Sequence, residues 1–268
     1  MSNLAVRLLT AAVVVPLLLL LLYRGPAWGL YLLILPASLV GTYELLAMTH
    51  PKDVVSQGIG LALAAASSLA IYFGRDVRLL LTMIAVIPVM GPLVTLARLG
   101  DIRTAGLRAV TMSMAPLFVS APLAWLAIMR RDVTGGPSYV VMTLMFAWFS
   151  DTGGYFAGRF LGKHTLYAAV SPKKTVEGSF GGLAGSLVGG LLAHFWFLPS
   201  IPLAHVVPLA IVAGALGQAG DLGESLVKRS MGVKDSGAIV PGHGGILDRI
   251  DALLLTSTVV YLYTLWIK

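Results

Sequence analysis

The sequence predicts an all-α, polytopic integral membrane protein with about nine transmembrane helices. Of its 268 residues, 57% are hydrophobic and only 12% are charged, a balance that ordinary water-soluble domains do not reach. Apolar runs of about 20 residues, the length that a spanning helix needs, recur along the whole chain. These runs lack the period-two alternation of a membrane barrel, so we expect helices.

Nine apolar segments are candidate helices within a single membrane domain. In the first segment Arg7 precedes the apolar run 8–22, as in a signal peptide, but no small-residue cleavage site comes after this run, so we expect a membrane helix there. Residues 1–137 are predicted to form scaffold helices, and residues 138–268 a catalytic region with cytoplasmic loops. The nine segments are 4–22, 28–48, 54–73, 77–97, 107–129, 139–156, 179–198, 206–227 and 250–266.

The positive charge of the chain predicts its orientation. The formal net charge is +7, but the basic residues lie at the ends of apolar runs, where they determine topology, so no nucleic-acid partner is expected. With nine helices, thirteen of the 19 Lys and Arg residues fall on one side of the bilayer and six on the other. We therefore expect a bacterial inner-membrane protein whose N-terminus and larger polar loops are cytoplasmic. Because Cys is absent, disulfides and thiolate metal sites are excluded.

The seventh segment contains small residues at a spacing of four. Gly181, Gly185 and Gly189 share one face, and a second row of small residues follows one position later. Small residues at this spacing let helices approach closely in a bilayer, so we expect tight helix packing here.

The eighth segment carries polar residues along one helical face. An ionisable side chain at membrane depth by default marks a functional site or a paired charge. Asp221 is therefore expected either to belong to a functional site or simply to form an ion pair with Lys228 or Arg229. Glu224 flanks the face, which consists of Gln218, Asp221, Ser225 and Lys228.

Two carboxylates, Asp248 and Asp251, are three residues apart at the start of the ninth segment and would share a helical face. Mg²⁺ typically takes one or two protein carboxylates and bridges to substrate phosphates. The alternative is that Asp248 caps the helix or complements its dipole. Nearby cations favour a nucleoside triphosphate site: Lys228, Arg229, Lys234, His243 and Arg249.

The polar segment before the seventh helix is a second candidate phosphate-binding region. Residues 158–163 look superficially like a P-loop, but Ala157 and His164 break that pattern. The downstream residues Lys173, Lys174 and Thr175 could contact phosphates, and Glu177 could orient a lysine or bind metal. The alternative is an interfacial basic loop that attracts anionic lipid.

One long motif resembles the signature of the phosphatidate cytidylyltransferase family. It runs from Ser225 to Asp251 and contains Ser-x-x-Lys-Arg, then Lys-Asp, then His-Gly-Gly-x-x-Asp-Arg-x-Asp. Ser150-Asp-Thr-Gly-Gly-Tyr155 and Ser171-Pro-Lys-Lys-Thr-Val-Glu-Gly178 also resemble that family. The resemblance covers most of the C-terminal half and is highly specific, whereas the N-terminal half has no usable motif.

The resemblance implies that CTP and phosphatidic acid react at a bilayer surface to give CDP-diacylglycerol and pyrophosphate. It implies dependence on Mg²⁺, with room for a second, monovalent cation such as K⁺. Asp221, Asp248 and Asp251 would be metal ligands, acting with the catalytic cations Lys228, Arg229 and Arg249. The expected substrate-binding residues are Asp151, Ser171, Lys173, Lys174, Thr175, Glu177, Lys234, Asp235, His243, Gly244 and Gly245.

Two other classes of function stay open from the residues alone. One is a CTP-dependent enzyme acting on another lipid, either a polyprenol kinase or an archaeal-type lipid cytidylyltransferase. The other is an ion-coupled transporter, which would also use intramembrane carboxylates and Gly-rich helices. The crowding of polar residues into the last third of the chain favours the enzyme. The sequence leaves acyl-chain preference and oligomeric state open, a homodimer included.

Overall fold

The computed structural model describes residues 3–74, 76–237 and 244–267, with side chains described from residue 12 onward. Each of the nine apolar segments overlaps one helix in this described part, so the all-α fold is confirmed. The helices are α1 (Asn3–Arg24), α2 (Tyr31–Thr49), α3 (Val54–Phe73), α4 (Val77–Ala97), α5 (Ile102–Asp132), α6 (Gly136–Leu161), α7 (Val176–Trp196), α8 (Leu203–Ser230) and α9 (Leu247–Trp266).

Six helices within the described ranges are long and apolar enough to cross a membrane. They are α2, α3, α4, α5, α7 and α8. Large apolar side chains on the outside of the bundle, such as Leu81, Ile84 and Phe195, are exposed. A surface of this kind suits lipid rather than water, so the chain is a multi-pass membrane protein.

Successive helices are joined at alternating ends of the bundle. At one end Arg98, after α4, donates from Nε to Asp53 Oδ1, before α3, over 2.8 Å. At the same end Arg229 Nε of α8 donates to the carbonyl oxygen of Val170, between α6 and α7, over 3.3 Å. This end, with the α2–α3, α4–α5, α6–α7 and α8–α9 connections, is termed the site end.

The central helix is α5, which packs against α2, α3, α4 and α9. Its side chains Met112, Val119 and Leu126 are buried in the main apolar core. Two proline residues lie inside it, Pro116 and Pro122. Through α5 the N-terminal helices thus pack against α9, one of the helices that carry the polar motifs.

Glycine residues bring α6 and α7 into backbone contact. A Cβ atom at Gly153 of α6 would overlap the carbonyl oxygen of Gly181, and one at Gly185 would overlap that of Phe149. In the second row of small residues, Ser186 donates from Oγ to the carbonyl oxygen of Ala210 in α8 over 2.7 Å. The predicted tight packing is confirmed, since the first row faces α6 and the second lies where α7 meets both α6 and α8.

A short antiparallel hairpin fills the α6–α7 connection. It consists of β1 (Thr165–Tyr167) and β2 (Ser171–Thr175), with Thr165 opposite Thr175 and Tyr167 opposite Ser171. At its end the Thr175 hydroxyl accepts a hydrogen bond from the Gly178 amide over 3.0 Å and caps α7. The sequence analysis treated this stretch as a loop, and the hairpin gives it a defined shape beside α8.

Candidate active site

A polar cleft of about 550 Å³ opens at the site end between α6, the hairpin and α8. Its volume falls in the range of small-molecule sites. The predicted phosphate-binding segment before α7 meets the polar face of α8 here, although the two are separated by about 50 residues of sequence. The lining includes Asp151, Ser171, Lys173, Lys174, Thr175, Gln218 and Asp221.

An ion pair crosses this cleft. Lys174 Nζ of the hairpin lies 2.5 Å from Asp221 Oδ2 of α8. Asp151 of α6 interacts electrostatically with both members of the pair and with Arg249 of α9. Asp221 is therefore paired, as one of the two readings of the eighth segment expected, but its partner is Lys174 rather than Lys228 or Arg229.

Lys228 lies two turns after Asp221 in α8 and joins this helix to α9. Its Nζ atom is 2.7 Å from Glu224 Oε2 and 2.5 Å from Asp248 Oδ1. All three side chains are largely shielded from solvent. Loss of one of these charges would leave a buried charge without a partner, which is strongly destabilising. The carboxyl groups of Glu224 and Asp251 interact electrostatically, and Asp251 also interacts with Asp221. The carboxylates of α8 and α9 thus form one continuous acidic cluster.

Asp248 organises the chain that enters α9. Its Oδ2 atom accepts hydrogen bonds from the Ser236 amide at 2.9 Å, the Ser236 hydroxyl at 2.9 Å and the Gly245 amide at 2.8 Å. These hydrogen bonds are of the kind expected if Asp248 caps α9, which was the alternative to metal binding. Lys228 occupies the other oxygen, so a cation held by Asp248 would share that oxygen with the lysine or displace it.

The donor chemistry of the cluster fits a hard divalent cation. No three His, Asp or Glu side chains converge as ligands in the ranges that the structure describes. Mg²⁺ does not need such a cage, because water and substrate phosphates commonly complete its shell. The buried Glu224 Oε1 atom has no hydrogen-bond partner within the described part, which is the kind of oxygen that a cation would satisfy.

Several predicted site residues have structural contacts at the edge of the cleft. Glu177 accepts hydrogen bonds from the amides of Lys163 and His164 and binds His164 Nδ1 at 2.6 Å. Arg229 donates to the carbonyl oxygens of Val170 and Val233. Both residues hold the hairpin and the α8–α9 connection in place, close to the residues that line the cleft.

The α8–α9 connection carries the remaining predicted residues. Lys234 and Asp235 are exposed, and Gly244 has a φ of +78°, a backbone conformation that favours glycine. A Cβ atom at Gly245 would overlap both Ser236 and Glu44. His243 lies outside the described residues.

The sequence analysis missed the role of Glu44. This α2 residue is only 2% exposed, and its carboxylate accepts hydrogen bonds from the chain that enters α9. The one available sign was that Glu44 is the only carboxylate within the first five predicted apolar segments. Gln218 was noted as polar, but its contact was not foreseen: it accepts a hydrogen bond from the Ser179 hydroxyl at 2.5 Å.

The Cytidylyltransferase family model matches residues 5–267. The chain belongs to this family. Among its family relatives, the phosphatidate cytidylyltransferase of Staphylococcus haemolyticus is 34% identical over 250 residues, covering 93% of this chain and 94% of the relative. Those of Staphylococcus saprophyticus and Brucella suis are 46% and 42% identical over 119 and 139 residues, about half the length of each relative.

A second cavity lies beside the acidic cluster, and its composition suits an enzyme of this family. This cavity of about 250 Å³ lies between α5, α8 and α9. It is lined mainly by apolar side chains such as Val110 and Met114, and Glu224 and Asp251 are also part of its wall. The acidic cluster therefore lies between a polar cleft and an apolar cavity, as an enzyme that joins a nucleotide to a lipid requires.

Proposed function

We propose that this nucleotidyltransferase is a phosphatidate cytidylyltransferase whose reaction takes place at the acidic cluster of α8 and α9. CTP and phosphatidate would give CDP-diacylglycerol and pyrophosphate, a step of phospholipid biosynthesis. The observation that carries the assignment of the site is that the acidic cluster contributes Asp221 to the polar cleft and Glu224 and Asp251 to the apolar cavity. Neither another lipid substrate nor a transporter is favoured.

The chemistry places modest demands on the protein. A non-bridging oxygen of the phosphatidate phosphate attacks the α-phosphorus of CTP and forms a new P–O bond. The bond from the α-phosphorus to the oxygen that bridges to the β-phosphorus breaks, and pyrophosphate leaves with that electron pair. Because the attacking phosphate is already anionic, it needs no strong base, and alignment and charge stabilisation dominate.

The basic residues around the cleft would supply that stabilisation. Lys173 and Lys174 line the cleft, and both come from the short hairpin, which fixes their spacing. Arg249 extends from the start of α9 and interacts with Asp151. We assign these three side chains to the triphosphate and leaving pyrophosphate. Lys228 is buried against two carboxylates and would instead keep the cluster electrically balanced.

We propose that Asp221, Asp248 and Asp251 hold Mg²⁺, with a monovalent cation such as K⁺ as a second occupant of the cluster. When bound, the divalent ion neutralises charge on the triphosphate oxygens. Asp221 and Asp251 are the stronger candidates, because Asp248 already accepts hydrogen bonds on one oxygen and binds Lys228 on the other.

The proposed topology has nine crossings, with the site end and N-terminus in the cytoplasm of a bacterial inner membrane. CTP would enter the polar cleft from water. The acyl chains would stay beside the apolar cavity, because each buried CH₂ contributes about 0.8 kcal/mol and removing a lipid is costly. Since the chain lacks Cys, membrane-impermeant thiol labelling of Arg103→Cys and Ser200→Cys, at opposite ends, tests this orientation.

The reaction is tested with purified protein, phosphatidate, Mg²⁺ and CTP labelled at either the α- or the γ-phosphorus. We expect the α-label to enter the lipid and the γ-label to leave as pyrophosphate. In a parallel reaction with a polyprenol in place of phosphatidate, transfer of the γ-label to the lipid would identify a kinase instead, and absence of label from any lipid would contradict the proposal. The Asp221→Asn variant, purified in the same way, serves as the inactive control.

A further inference from the structure

Glu44 lies in α2, far along the sequence from the acidic cluster, yet its carboxylate contacts the start of α9. The Ile246 amide donates to Oε1 over 3.0 Å, and the Leu247 amide donates to Oε2 over 2.8 Å. The Ser236 hydroxyl lies 3.1 Å from Oε2. Both carboxylate oxygens of Glu44 therefore accept hydrogen bonds from the segment that carries Asp248.

These contacts supply a cap that α9 lacks. The residue at its N-cap position is Ile246, which has no side-chain hydrogen bond to offer. The first amide groups of a helix have no partner within the helix, and a negative charge beside them is favourable. Glu44 satisfies two of these amide groups from a different helix and thereby fixes where α9 begins.

The same contacts reach Asp248 through Ser236. The Ser236 hydroxyl lies between Glu44 Oε2, at 3.1 Å, and Asp248 Oδ2, at 2.9 Å. The Ser236 amide also donates to Asp248. Because Asp248 in turn binds Lys228, a displacement of Glu44 would be transmitted to the buried charges of the cluster.

The surrounding chain is shaped to admit the Glu44 carboxylate. A Cβ atom at Gly237 would lie 2.6 Å from Glu44 Oε1, and one at Gly245 would overlap the same carboxylate. Side chains at either position would push the loop away from α2. A buried carboxylate is costly unless its hydrogen bonds are complete, and here the loop backbone closes around it to complete them.

We propose that Glu44 is a positioning residue for the cytidylyl-transfer reaction. It sets the position of Asp248 and of the first turn of α9 without contacting either substrate. The proposal rests on the proposed function, because it assigns Glu44 to the geometry of that same acidic cluster. It differs from a purely structural cap, which would lower stability but leave each folded molecule with its normal turnover.

The test compares Glu44→Gln with Asp53→Asn. Asp53 caps α3 at the same end of the bundle, accepting from the Ser56 amide, and has no contact with the cluster among the described residues. We expect Glu44→Gln to lower kcat and Mn²⁺ affinity in the presence of CTP by about 10- to 100-fold, as losses of outer-shell partners do. Asp53→Asn should lower the unfolding temperature while keeping both values normal.

Hydrogen exchange provides a readout that needs neither metal nor substrate. In the metal-free protein, the amides of residues 246 and 247 should exchange faster in Glu44→Gln than in Asp53→Asn or the parent. Normal kcat per folded molecule, with normal Mn²⁺ affinity by electron paramagnetic resonance, would overturn the proposal. If Glu44→Gln fails to fold, Ser236→Ala decides, because it removes only the bridging hydroxyl and should weaken Mn²⁺ binding; parental affinity would again overturn the proposal.

The activity of the parent protein distinguishes failure of the proposed function from failure of the proposed role of Glu44. A parent that forms no labelled CDP-lipid contradicts the proposed function. A parent that forms it, beside a Glu44→Gln variant of equal kcat, contradicts only the role of Glu44.

Discussion

Lys174 and Asp221 form an ion pair of 2.5 Å that connects the β-hairpin to α8 across the mouth of the polar cleft. Both side chains are about 30% exposed, so an entering triphosphate could reach them. We expect Lys174 to exchange Asp221 for a phosphate oxygen when CTP binds, which frees the carboxylate for a cation. Without substrate, Lys174 and Asp221 thus bind each other, whereas in the proposed reaction Lys174 binds phosphate and Asp221 binds a cation.

The first prediction separates cation binding by Asp221 from neutralisation of Lys174. Asp221→Asn should lower kcat by more than the 10- to 100-fold typical of outer-shell residues and weaken Mn²⁺ binding in the absence of CTP, and adding Lys174→Gln should not restore that affinity. If Asp221 only balanced the lysine charge, removing both charges would leave Mn²⁺ affinity at the parental value. Mn²⁺ affinity by electron paramagnetic resonance and CDP-lipid formation, with a check of membrane insertion, are the measurements.

The doubles with Lys228→Gln and Arg229→Gln serve as controls for the same prediction. Lys228 binds Glu224 and Asp248, and Arg229 binds backbone carbonyl groups, so neither change addresses Asp221 directly. We expect both doubles to stay inactive. Substantial recovery in any of the three doubles would return Asp221 to a structural role.

The second prediction concerns Asp248. Asp248→Asn should abolish turnover and also lower the free energy of unfolding by about 1–3 kcal/mol, because buried donors lose a charged acceptor. The donors are the Ser236 and Gly245 amides and Lys228. Denaturant unfolding of the metal-free protein and the CDP-lipid assay measure the two effects. Near-normal turnover would favour capping as the sole role of Asp248.

Asp251 provides the contrasting third prediction. It lies beside the carboxylates of Asp221 and Glu224, which repel its charge. Asp251→Asn should therefore keep or raise the stability of the metal-free protein while abolishing turnover. The same two measurements apply. A fall in stability as large as that of Asp248→Asn would show that Asp251 supports the fold instead.

Much of this site could be predicted because its residues lie on regular elements. The helical period places Asp221 and Lys228 on one face of α8. The family motifs identified Lys174 and Asp151 as expected substrate-binding residues. The structure brings Asp151, Lys174 and Asp221 together in one cleft. Apolar segment length similarly identified each helix, although α5 extends five residues earlier and three later than its predicted segment.

Side-chain contacts between residues that lie far apart in the sequence could not be predicted. The sequence analysis considered only Lys228 and Arg229 as pairing partners for Asp221, and the observed partner, Lys174, comes from a hairpin that sequence periodicity does not reveal. Glu44 and Leu247 are 203 positions apart, so their hydrogen bond depends on how the α8–α9 connection closes over α2. Neither helical period nor composition carries that information.

The fourth prediction is a pH dependence of stability centred on His50. This residue follows α2 at the site end and is 1% exposed. Burial, reinforced by the Arg108 charge and opposed by Asp53, lowers the pKa of His50 from 6.5 to about 4. Between these pH values the unfolded chain binds a proton that the folded protein excludes, so stability rises with pH across the window and is lost as pH falls.

The effect of His50 at neutral pH should be on the order of 3 kcal/mol, from the size of the pKa shift. Denaturant unfolding in detergent from pH 4 to pH 7 measures it, with His50→Gln as the comparison. The variant should show a shallower dependence in that window. Identical slopes would contradict a neutral, buried His50 in the folded protein.

The last prediction tests whether backbone contact between α6 and α7 positions the site. A Cβ atom at Gly153 would overlap the Gly181 carbonyl oxygen and lie 3.2 Å from Gly185 Cα, so only movement of one helix could admit it. Gly153→Ala should cost about 1–3 kcal/mol, as overpacking does, and should carry Asp151 away from Lys174. Turnover should fall with stability.

The matched control is Gly58→Ala in α3, where no atom lies within 4 Å of the added Cβ. There alanine should raise stability by up to about 1 kcal/mol through its helix propensity, with turnover unchanged. Denaturant unfolding and CDP-lipid formation compare the two variants. Equal effects at both positions would mean that helix propensity dominates, and the close α6–α7 contact would then not explain how the cleft is held together.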